Sequence, residues 1–540
     1  MIYRNLLIAV CLLTLVIGCS NGNGGGSSSS PNYTVSLEFE RIVSSSPNPF
    51  NVNVTVLEDG QLKSGISTDL VIALNQGSRN AVSEISPGIY QFTVTPVQTG
   101  EHEVSVSYGS VNSTKTALVV DGVHADWGQP ESVRGLVNTA GYEDGVTITP
   151  DGEYLFVQYG PIYFSGIFLF NTPRANGGCE GNRLEYPAGT PNRCTHEWID
   201  STIGPYTGPE RPGFFDGRFS GTTMLHNANS WGIGIEEAPI FAPSTMFYGF
   251  HKQADGSFAE PFYIAFDDVN DGIINTYGLS FMMHNDGTAT ALFTLDDPSD
   301  PDMVDLDGDM IDDVQSYFDV YTAEVTMGQN NILGTFVASG TPGTPPVRGA
   351  PFPAQLVNFG KTGLDGIAGT QGNSHLYESG GNVLSIWTDD EHDSGGDHGE
   401  LSVYVLTSGS FPGGTWTKIV LPNVVNLADP SDEIQPFFTG SGLYFTRISD
   451  TAWPQIYYSS YSGTHSSTDF QSTGNWGTPE VILSVTTADA VGKVTAIGEP
   501  TIANVNGTEY LYFVYGIIRG YDATSGLADI DMQAGFVKKN

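Results

Sequence analysis

The densest group of chemically active side chains in the 540-residue sequence is an acidic run between Asp296 and Asp313. Its centre reads Asp-Leu-Asp-Gly-Asp-Met-Ile-Asp-Asp, so carboxylates recur at alternating positions. This spacing puts several hard oxygens on one side of a loop, and Ca²⁺ takes roughly six to eight oxygen ligands. Crowded carboxylates also repel one another, which favours a bound cation. We therefore predict a Ca²⁺ site here, with a solvated acidic turn as the alternative.

The same run resembles the calcium loops of thrombospondin type-3 repeats. Met310 stands where that family usually has Gly, and Asp312 stands where Pro is common. An EF-hand loop is excluded because its Gly and its final Glu are missing. By the thrombospondin resemblance, four carboxylates would be the Ca²⁺ ligands: Asp305, Asp307, Asp309 and Asp313.

Acidic and polar residues also stand at or just before a recurring set of short apolar strands. Carboxylates that face one pocket can act as paired acid and base, as in glycoside hydrolases with five-bladed propellers. The candidates for such catalysis are Asp144, Glu237, Glu433 and Glu499. The candidates for ligand binding are Glu143, His375 and Gln435. We favour the alternative that these groups cap neighbouring turns, with ligand binding as an intermediate interpretation.

Two further groups are candidates for metal or redox chemistry. The segment from Asp389 to Glu400 holds His392 and His398 among carboxylates, but its Ser-Gly-Gly centre favours a hairpin tip over a metal site. Cys179 and Cys194 are a close pair around a Gly/Pro-rich loop, and an oxidising compartment makes them a predicted disulfide. A two-thiolate metal site is the alternative, although no CxxC pattern supports it.

The first residues predict export. Arg4 precedes an apolar run too short to span roughly 30 Å of hydrocarbon, as in a secretory signal over residues 1–18. Val16-Ile17-Gly18-Cys19 resembles the bacterial lipobox, which implies a diacylglycerol on Cys19 and cleavage before it. Ser20 follows Cys19, and by resemblance to Gram-negative lipoproteins this favours the outer membrane, on its periplasmic or surface face. An ordinary signal that contains Cys is the alternative.

Composition limits the partners of the mature protein. The sequence has 60 acidic and 20 basic residues and a formal charge of −40, which repels phosphate backbones, so nucleic acid is a poor partner. Residues 19–31 are mostly Ser, Asn and Gly, which predicts a flexible tether behind the lipid anchor. Short strands and turns dominate the rest of the sequence, which predicts an all-β protein.

Residues 32–121 alternate apolar and polar side chains in six or seven short strands, the pattern of a β-sandwich. The segments Gly88–Pro96 and Thr99–Val106 resemble bacterial Ig-like domains, although the Cys-Trp-Cys core of antibody domains is absent. A spacer or adhesion module is the expected role of this part.

Residues 125–540 repeat a theme of short strand, tight Gly turn and apolar strand, which predicts a β-propeller. Six blades are our first choice, with five and seven as alternatives; one of the six assigned first strands follows Glu237. The motifs Asp151-Gly152-Glu-Tyr-Leu-Phe, Gly442-Leu-Tyr-Phe and Trp476-Gly-Thr-Pro resemble TolB-like propellers. The acidic run at 296–313 would be an insertion in this domain.

The sequence therefore predicts a membrane-anchored envelope lipoprotein whose propeller binds a polysaccharide or a protein partner. A glycan-active hydrolase with carboxylates at the mouth of the propeller channel is the alternative. Binding is favoured because the sequence has no Gly-x-Ser-x-Gly elbow, phosphate loop or His-Glu-x-x-His motif.

Overall fold

The computed structural model describes residues 31–43, 47–138, 142–160, 246–264, 276–296, 318–328, 332–333, 347–348, 355–357, 371–390, 400–427, 431–449, 452–486, 490–521 and 528–540. Several predicted features lie outside these residues and stay predictions. They are the signal peptide, the lipidated Cys19, the Cys179–Cys194 disulfide, Glu237, the loop with His392 and His398, and the Ca²⁺ carboxylates Asp305, Asp307, Asp309 and Asp313.

The described part of the protein is almost entirely antiparallel β-structure, which confirms the predicted all-β class. Within it, a short helix α1 (Ser467–Gln471) begins where the Ser466 side chain accepts a hydrogen bond from the Asp469 amide, and a 3₁₀ turn follows at Thr473–Asn475. Among the described residues, no helix is both long and apolar enough to cross a membrane.

The N-terminal part has two sheets packed around one core. Buried Val52 and Val54 of one sheet share this core with Val104 and Val106 of the other, as the alternating sequence requires. One sheet has the order β1-β2-β7-β5, with β3 on β2 and β6 on β7, and the other contains β4, β8 and β9. The strands are β1 (Tyr33–Arg41), β2 (Phe50–Glu58), β3 (Gln61–Leu62), β4 (Val71–Leu74), β5 (Ser78–Arg79), β6 (Ser83–Ser86), β7 (Ile89–Thr95), β8 (Gly100–Tyr108) and β9 (Val111–Val119).

After β10 (Gly122–Val123) and β11 (Glu131–Ser132), the described strands form five sheets that we call blades 1 to 5. Blade 1 consists of β12 (Tyr142–Ile148), β13 (Tyr154–Gly160), β14 (Met246–Lys252) and β15 (Phe258–Ile264). Blade 2 consists of β16 (Thr276–Met283), β17 (Thr288–Asp296), β18 (Phe318–Thr326) and β21 (Gln355–Leu356), with a separate pair β19 (Ile332–Leu333) and β20 (Val347–Arg348) before its last strand.

The remaining blades follow the same order. Blade 3 consists of β22 (Gln371–Ser379), β23 (Asn382–Asp390), β24 (Glu400–Ser408) and β25 (Thr415–Val420). Blade 4 consists of β26 (Ser431–Phe438), β27 (Gly442–Ser449), β28 (Ala452–Ser460) and β29 (Glu480–Ser484), with β10 on its outer edge. Blade 5 consists of β30 (Val494–Val505), β31 (Thr508–Tyr521) and β32 (Ala528–Lys538), completed by β11.

The first strands of the blades form a closed ring, since each contacts the next and β30 contacts β12. This is the arrangement of a β-propeller, with the first strands around a central channel. A hydrogen bond joins each neighbouring pair of blades: Thr147 Oγ1 to the Leu279 carbonyl at 2.6 Å, the Leu376 amide to Ser280 Oγ at 3.1 Å, His375 Nε2 to the Phe438 carbonyl at 3.2 Å, Gln435 Nε2 to Glu499 Oε1 at 3.0 Å, and the Ile148 amide to Thr501 Oγ1 at 3.2 Å.

The described residues thus place five blades in the ring, one of the alternatives to the favoured six. The difference arises at the motif from Glu237 to Tyr248, which was expected to begin a blade with a first strand near Pro239. That first strand lies outside the described residues, but Met246–Lys252, which includes the apolar strand of the motif, pairs with β13 and β15 as the third strand of blade 1. First and third strands are similarly apolar in sequence, so only their pairing with neighbouring strands distinguishes them.

The two parts of the molecule share a sheet. The order β30-β31-β32-β11-β9-β8-β4 runs from the propeller channel into the N-terminal sandwich. Arg519 of blade 5 donates to Glu101 of β8 at 2.8 and 3.1 Å and to Asp531 at 2.7 Å, and Tyr515 donates to the same Glu101 at 2.7 Å. A continuous sheet and a largely buried ion-pair network therefore join the sandwich to the propeller.

The ring has two distinct ends. We call the end where the first strands begin the mouth face, and the end where first and second strands are joined by short turns the hairpin face. The second-to-third strand connections start and finish at the mouth face, as the pairs Tyr159–Met246, Asp296–Phe318 and Asp390–Glu400 show. The segments with the predicted disulfide, the acidic run and the two-histidine loop are therefore all attached at the mouth face.

Candidate functional site

Every first strand carries the same irregularity near the mouth face. Its pairing with the second strand shifts register once in blades 1, 2 and 4 and twice in blades 3 and 5, and one shift in every blade falls at an equivalent point. At that point one residue has a positive φ: Gly145 at 56°, Gly278 at 52°, Asn373 at 44°, Gln435 at 56° and Glu499 at 55°. The channel is thus surrounded by five left-handed residues, one per blade.

The left-handed residues of blades 4 and 5 are unusual. Gln435 and Glu499 are not glycine, and each precedes a proline, which normally pushes the residue before it toward extended conformations. A left-handed residue other than glycine costs on the order of 1 kcal/mol or more and persists where the surrounding structure enforces it. Such positions are candidates for function.

Glycine at the equivalent position of blade 2 is required by close packing. A Cβ on Gly278 would lie 2.5 Å from the Cα of Asn373 in blade 3. The Gly278 backbone therefore packs directly against the left-handed residue of the next blade. This contact fixes the position of Asn373 at the channel.

Glu499 and Asp144 form a carboxyl pair between blades 5 and 1. Burial raises the pKa of Glu499 well above its usual value, and the charge of Asp144 and the hydrogen bond between the two side chains raise that pKa further. The amides of Gly145 and Val146 donate hydrogen bonds to Glu499, and these bonds lower its pKa. The raised pKa favours the protonated form of Glu499, which can donate the hydrogen bond to Asp144.

Gln435 holds Glu499 from the other side. Its Nε2 donates to Glu499 Oε1 at 3.0 Å, and its Oε1 accepts from the Glu499 amide at 3.0 Å. Thr446 Oγ1 accepts from the same amide, also at 3.0 Å. The Glu499 side chain is thus fixed by blades 4 and 1 together.

His375 of blade 3 is neutral and stacked. Its ring lies 3.9 Å from the ring of Phe437, and burial lowers its pKa to about 4. Nε2 lies 3.2 Å from the Phe438 carbonyl, an acceptor, so the neutral ring carries its proton on Nε2. Nδ1 is buried and has no hydrogen-bond partner among the described residues.

Of these groups, Glu499, Gln435 and His375 border a small cavity inside the ring, which we call the channel cavity. Its volume is about 40 Å³, room for a few waters or one functional group of a ligand. The described residues that line it include all five left-handed positions, together with His375 and Phe437. The residues Asn373, His375, Gln435 and Glu499 are half-buried, while His375 Nδ1 and Glu499 Oε2 are buried atoms.

Two predicted site residues lie elsewhere. Glu433 is fully buried in blade 4, where it accepts from Arg447 Nε at 2.6 Å and from the Leu427 amide at 3.0 Å. Burial raises its pKa to about 7, and Arg447 opposes that shift. Glu143 is also fully buried, and neither carboxylate lines the channel cavity. Glu433 is therefore a structural ion-pair partner.

The structure thus brings together Asp144, His375, Gln435 and Glu499 of the predicted residues. Sequence reasoning missed Asn373 and Phe437, and it missed the left-handed turns altogether. The one available signal was the repeated Gln-Pro and Glu-Pro pair in equivalent strands of blades 4 and 5.

Comparison with known proteins gives a fold likeness only. No family model matches the chain, and no curated protein matches it. Similar solved structures include a BT0996–RGII complex, at 8% identity and TM-score 0.35 over 76% of this chain and 90% of the chain compared. A protein from Dyadobacter fermentans DSM 18053 has 8% identity and TM-score 0.33, covering 93% of this chain and 95% of its own.

A glycoside hydrolase is similar at 8% identity and TM-score 0.27, over 94% of this chain and 88% of that chain. At these identities and TM-scores, none of the three structures assigns an activity to this chain.

Proposed function

We propose that this protein is a lipid-anchored envelope protein whose propeller binds a neutral polysaccharide at the mouth face. The observation that carries the proposal is the convergence of half-buried polar side chains from blades 3, 4 and 5 on the channel cavity. The anchor is the predicted lipid on Cys19, and a polysaccharide is the ligand favoured over a protein partner.

The chemistry of the cavity suits hydroxyl groups. Asn373 and Gln435 are amides that donate and accept, His375 is neutral, and the raised pKa of Glu499 favours a carboxyl group that also donates and accepts. A sugar hydroxyl also donates and accepts, so it can satisfy such groups without adding charge. The formal charge of −40 opposes acidic polymers.

The size of the cavity suits recognition of one end group. A volume of about 40 Å³ cannot enclose a whole saccharide, since small-molecule sites typically occupy roughly 300–1,000 Å³. We therefore infer that a single hydroxyl or hydroxymethyl group enters the channel cavity. The rest of the ligand would extend over the mouth face.

Glycoside hydrolysis is the second candidate, because the raised pKa of Glu499 keeps a proton available as a general acid requires. The geometry opposes it. Catalytic carboxyl pairs are roughly 5 Å or more apart, whereas Asp144 and Glu499 are in hydrogen-bond contact. Glu433 is paired with Arg447 and does not provide the missing partner. Binding is therefore proposed ahead of catalysis.

One experiment separates the two functions. Neutral polysaccharides are titrated calorimetrically into wild-type protein and Glu499→Gln, and release of reducing ends is measured in parallel. We expect binding without release by the wild type, and binding weakened about tenfold by Glu499→Gln because the carboxyl group that Asp144 and Gln435 hold at the cavity is lost. Glu480→Gln, at a carboxylate that is 65% exposed on blade 4, is the control with unchanged binding. Reducing ends released by wild type but not by Glu499→Gln would contradict the binding proposal.

A further inference from the structure

A larger cleft opens between blades 2 and 3 on the hairpin face, and we call it the inter-blade cleft. Its volume is about 730 Å³, within the roughly 300–1,000 Å³ range of small-molecule sites. Its lining comes from the turns between β16 and β17, between β22 and β23, and between β24 and β25, from the strands beside them, and from β18. It therefore lies at the opposite end of the propeller from the channel cavity.

The floor of the inter-blade cleft is apolar. Met282 and Val383 belong to the core between blades 2 and 3, and Leu406 packs against that core. Half-buried Phe411 borders the cleft, its ring edge-on to Trp416 at 6.4 Å. An apolar floor with an aromatic edge is the usual base of a small-molecule site.

One wall of the cleft is a fixed hydrogen-bond chain. Thr290 Oγ1 donates to Glu324 Oε1 at 2.6 Å. Because that proton is used by the carboxylate, His284 Nε2 must donate to Thr290 Oγ1 at 2.9 Å. The Glu324 side chain is held in place and is still 68% exposed, so its remaining acceptor capacity is open to a ligand.

The charge of the lining limits the ligand class. None of the described residues that line the cleft is Lys or Arg, and Glu324 contributes a carboxylate. Exposed Asn382, Ser408 and Ser410 add groups that both donate and accept. An anion would meet no fixed cation among these described residues, whereas sugar hydroxyls match their polar groups and sugar C–H surfaces match the apolar floor.

We propose that the inter-blade cleft is a second ligand site, which binds a short neutral saccharide. Glu324 accepts hydrogen bonds from the sugar hydroxyls, and Phe411 packs against the sugar ring. The site is independent of the channel cavity, since the two share no lining residue among those described. A protein with both sites would hold a polysaccharide at two points on opposite faces.

The test titrates neutral mono-, di- and trisaccharides into full-length protein by calorimetry. Glu324→Gln removes the charged acceptor and Phe411→Ala removes the aromatic edge, and each is expected to weaken binding about tenfold or more. Glu480→Gln is a matched control: Glu480 lies 3.4 Å from His124 and is 65% exposed, against 3.4 Å from His284 and 68% for Glu324. Glu480→Gln is expected to bind the saccharides with the same affinity as wild type.

Asn373→Gly distinguishes this site from the channel cavity. It removes the amide and leaves the glycine that blades 1 and 2 have at the same position. Saccharide binding at the inter-blade cleft is expected to persist in Asn373→Gly. Absence of any saccharide binding at millimolar concentration, or binding abolished by Asn373→Gly and unchanged in Glu324→Gln and Phe411→Ala, would overturn the cleft proposal. The second result would leave the channel-cavity proposal standing.

Discussion

At the scale of single residues, the channel cavity depends on groups whose ionisation is shifted by burial and by one another. The raised pKa of Glu499 keeps its proton bound to higher pH than in an ordinary glutamate, and the lowered pKa of His375 keeps it neutral to lower pH than an ordinary histidine. Sequence reasoning named both residues from their places at strand starts. It could not pair Glu499 with Asp144, because that contact exists only after blades 5 and 1 close the ring.

The lowered pKa of His375 predicts a loss of stability in acid. The unfolded protein takes up a proton near pH 6.5 and the folded protein only near pH 4, so the free energy of unfolding falls as pH decreases through this window. The raised pKa of Glu499 changes stability in the opposite direction. Its stabilising effect is complete below the usual pKa of 4.5 and is lost as pH rises.

His375→Gln isolates the histidine effect, because glutamine can donate to the Phe438 carbonyl and does not titrate. Urea unfolding at several pH values should show that wild type loses more stability than His375→Gln between pH 6.5 and about 4, the window set by the lowered pKa. Parallel stability curves for the two proteins would show that His375 does not carry the shift.

At the scale of elements, the repeated bulge with a left-handed residue defines the channel. The strands themselves were predictable, since the alternation of β2 and the apolar runs of β13 and β27 lie within observed strands. The bulges were not, because a register shift arises from pairing between strands rather than from local propensity. The sequence even argues against them at Gln435 and Glu499, where the following proline disfavours the observed backbone.

Gly278→Ala tests the ring at its tightest contact. The new Cβ would lie 2.5 Å from the Cα of Asn373, in a backbone at φ 52°, and we expect roughly 2–4 kcal/mol of destabilisation. Gly287→Ala is the matched control, because Gly287 has φ 84° and no described atom within 4 Å of the added methyl group, so it isolates the backbone cost. Equal unfolding midpoints for the two variants would refute close packing of the ring.

At the scale of the whole molecule, one sheet and one buried ion-pair network connect the sandwich to blade 5. The sequence predicted two parts on either side of about residue 121, but it contained no sign that β11 and β9 would pair across that point. Arg519 meets Glu101 from 418 positions away, a contact that only the closed fold reveals.

Arg519→Ala should weaken this junction strongly. Its loss leaves Glu101 and Asp531 largely buried without their cation, which costs about 3–5 kcal/mol for a buried pair. Lys63→Ala breaks the more exposed Lys63–Glu58 pair, and there we expect little or no change in stability. Thermal unfolding and limited proteolysis compare the stability of Arg519→Ala and Lys63→Ala. Equal destabilisation by the two substitutions would contradict a structural role for Arg519.

We propose above that the channel cavity at the mouth face receives the end group of a neutral polysaccharide. Hydrogen–deuterium exchange with and without a bound neutral polysaccharide tests it most directly. We predict slower exchange at residues 142–148, 371–376 and 494–502 in wild type, and loss of that protection in Asn373→Gly and Glu499→Gln. Protection confined to the N-terminal sandwich, or equal protection in wild type and both variants, would contradict it.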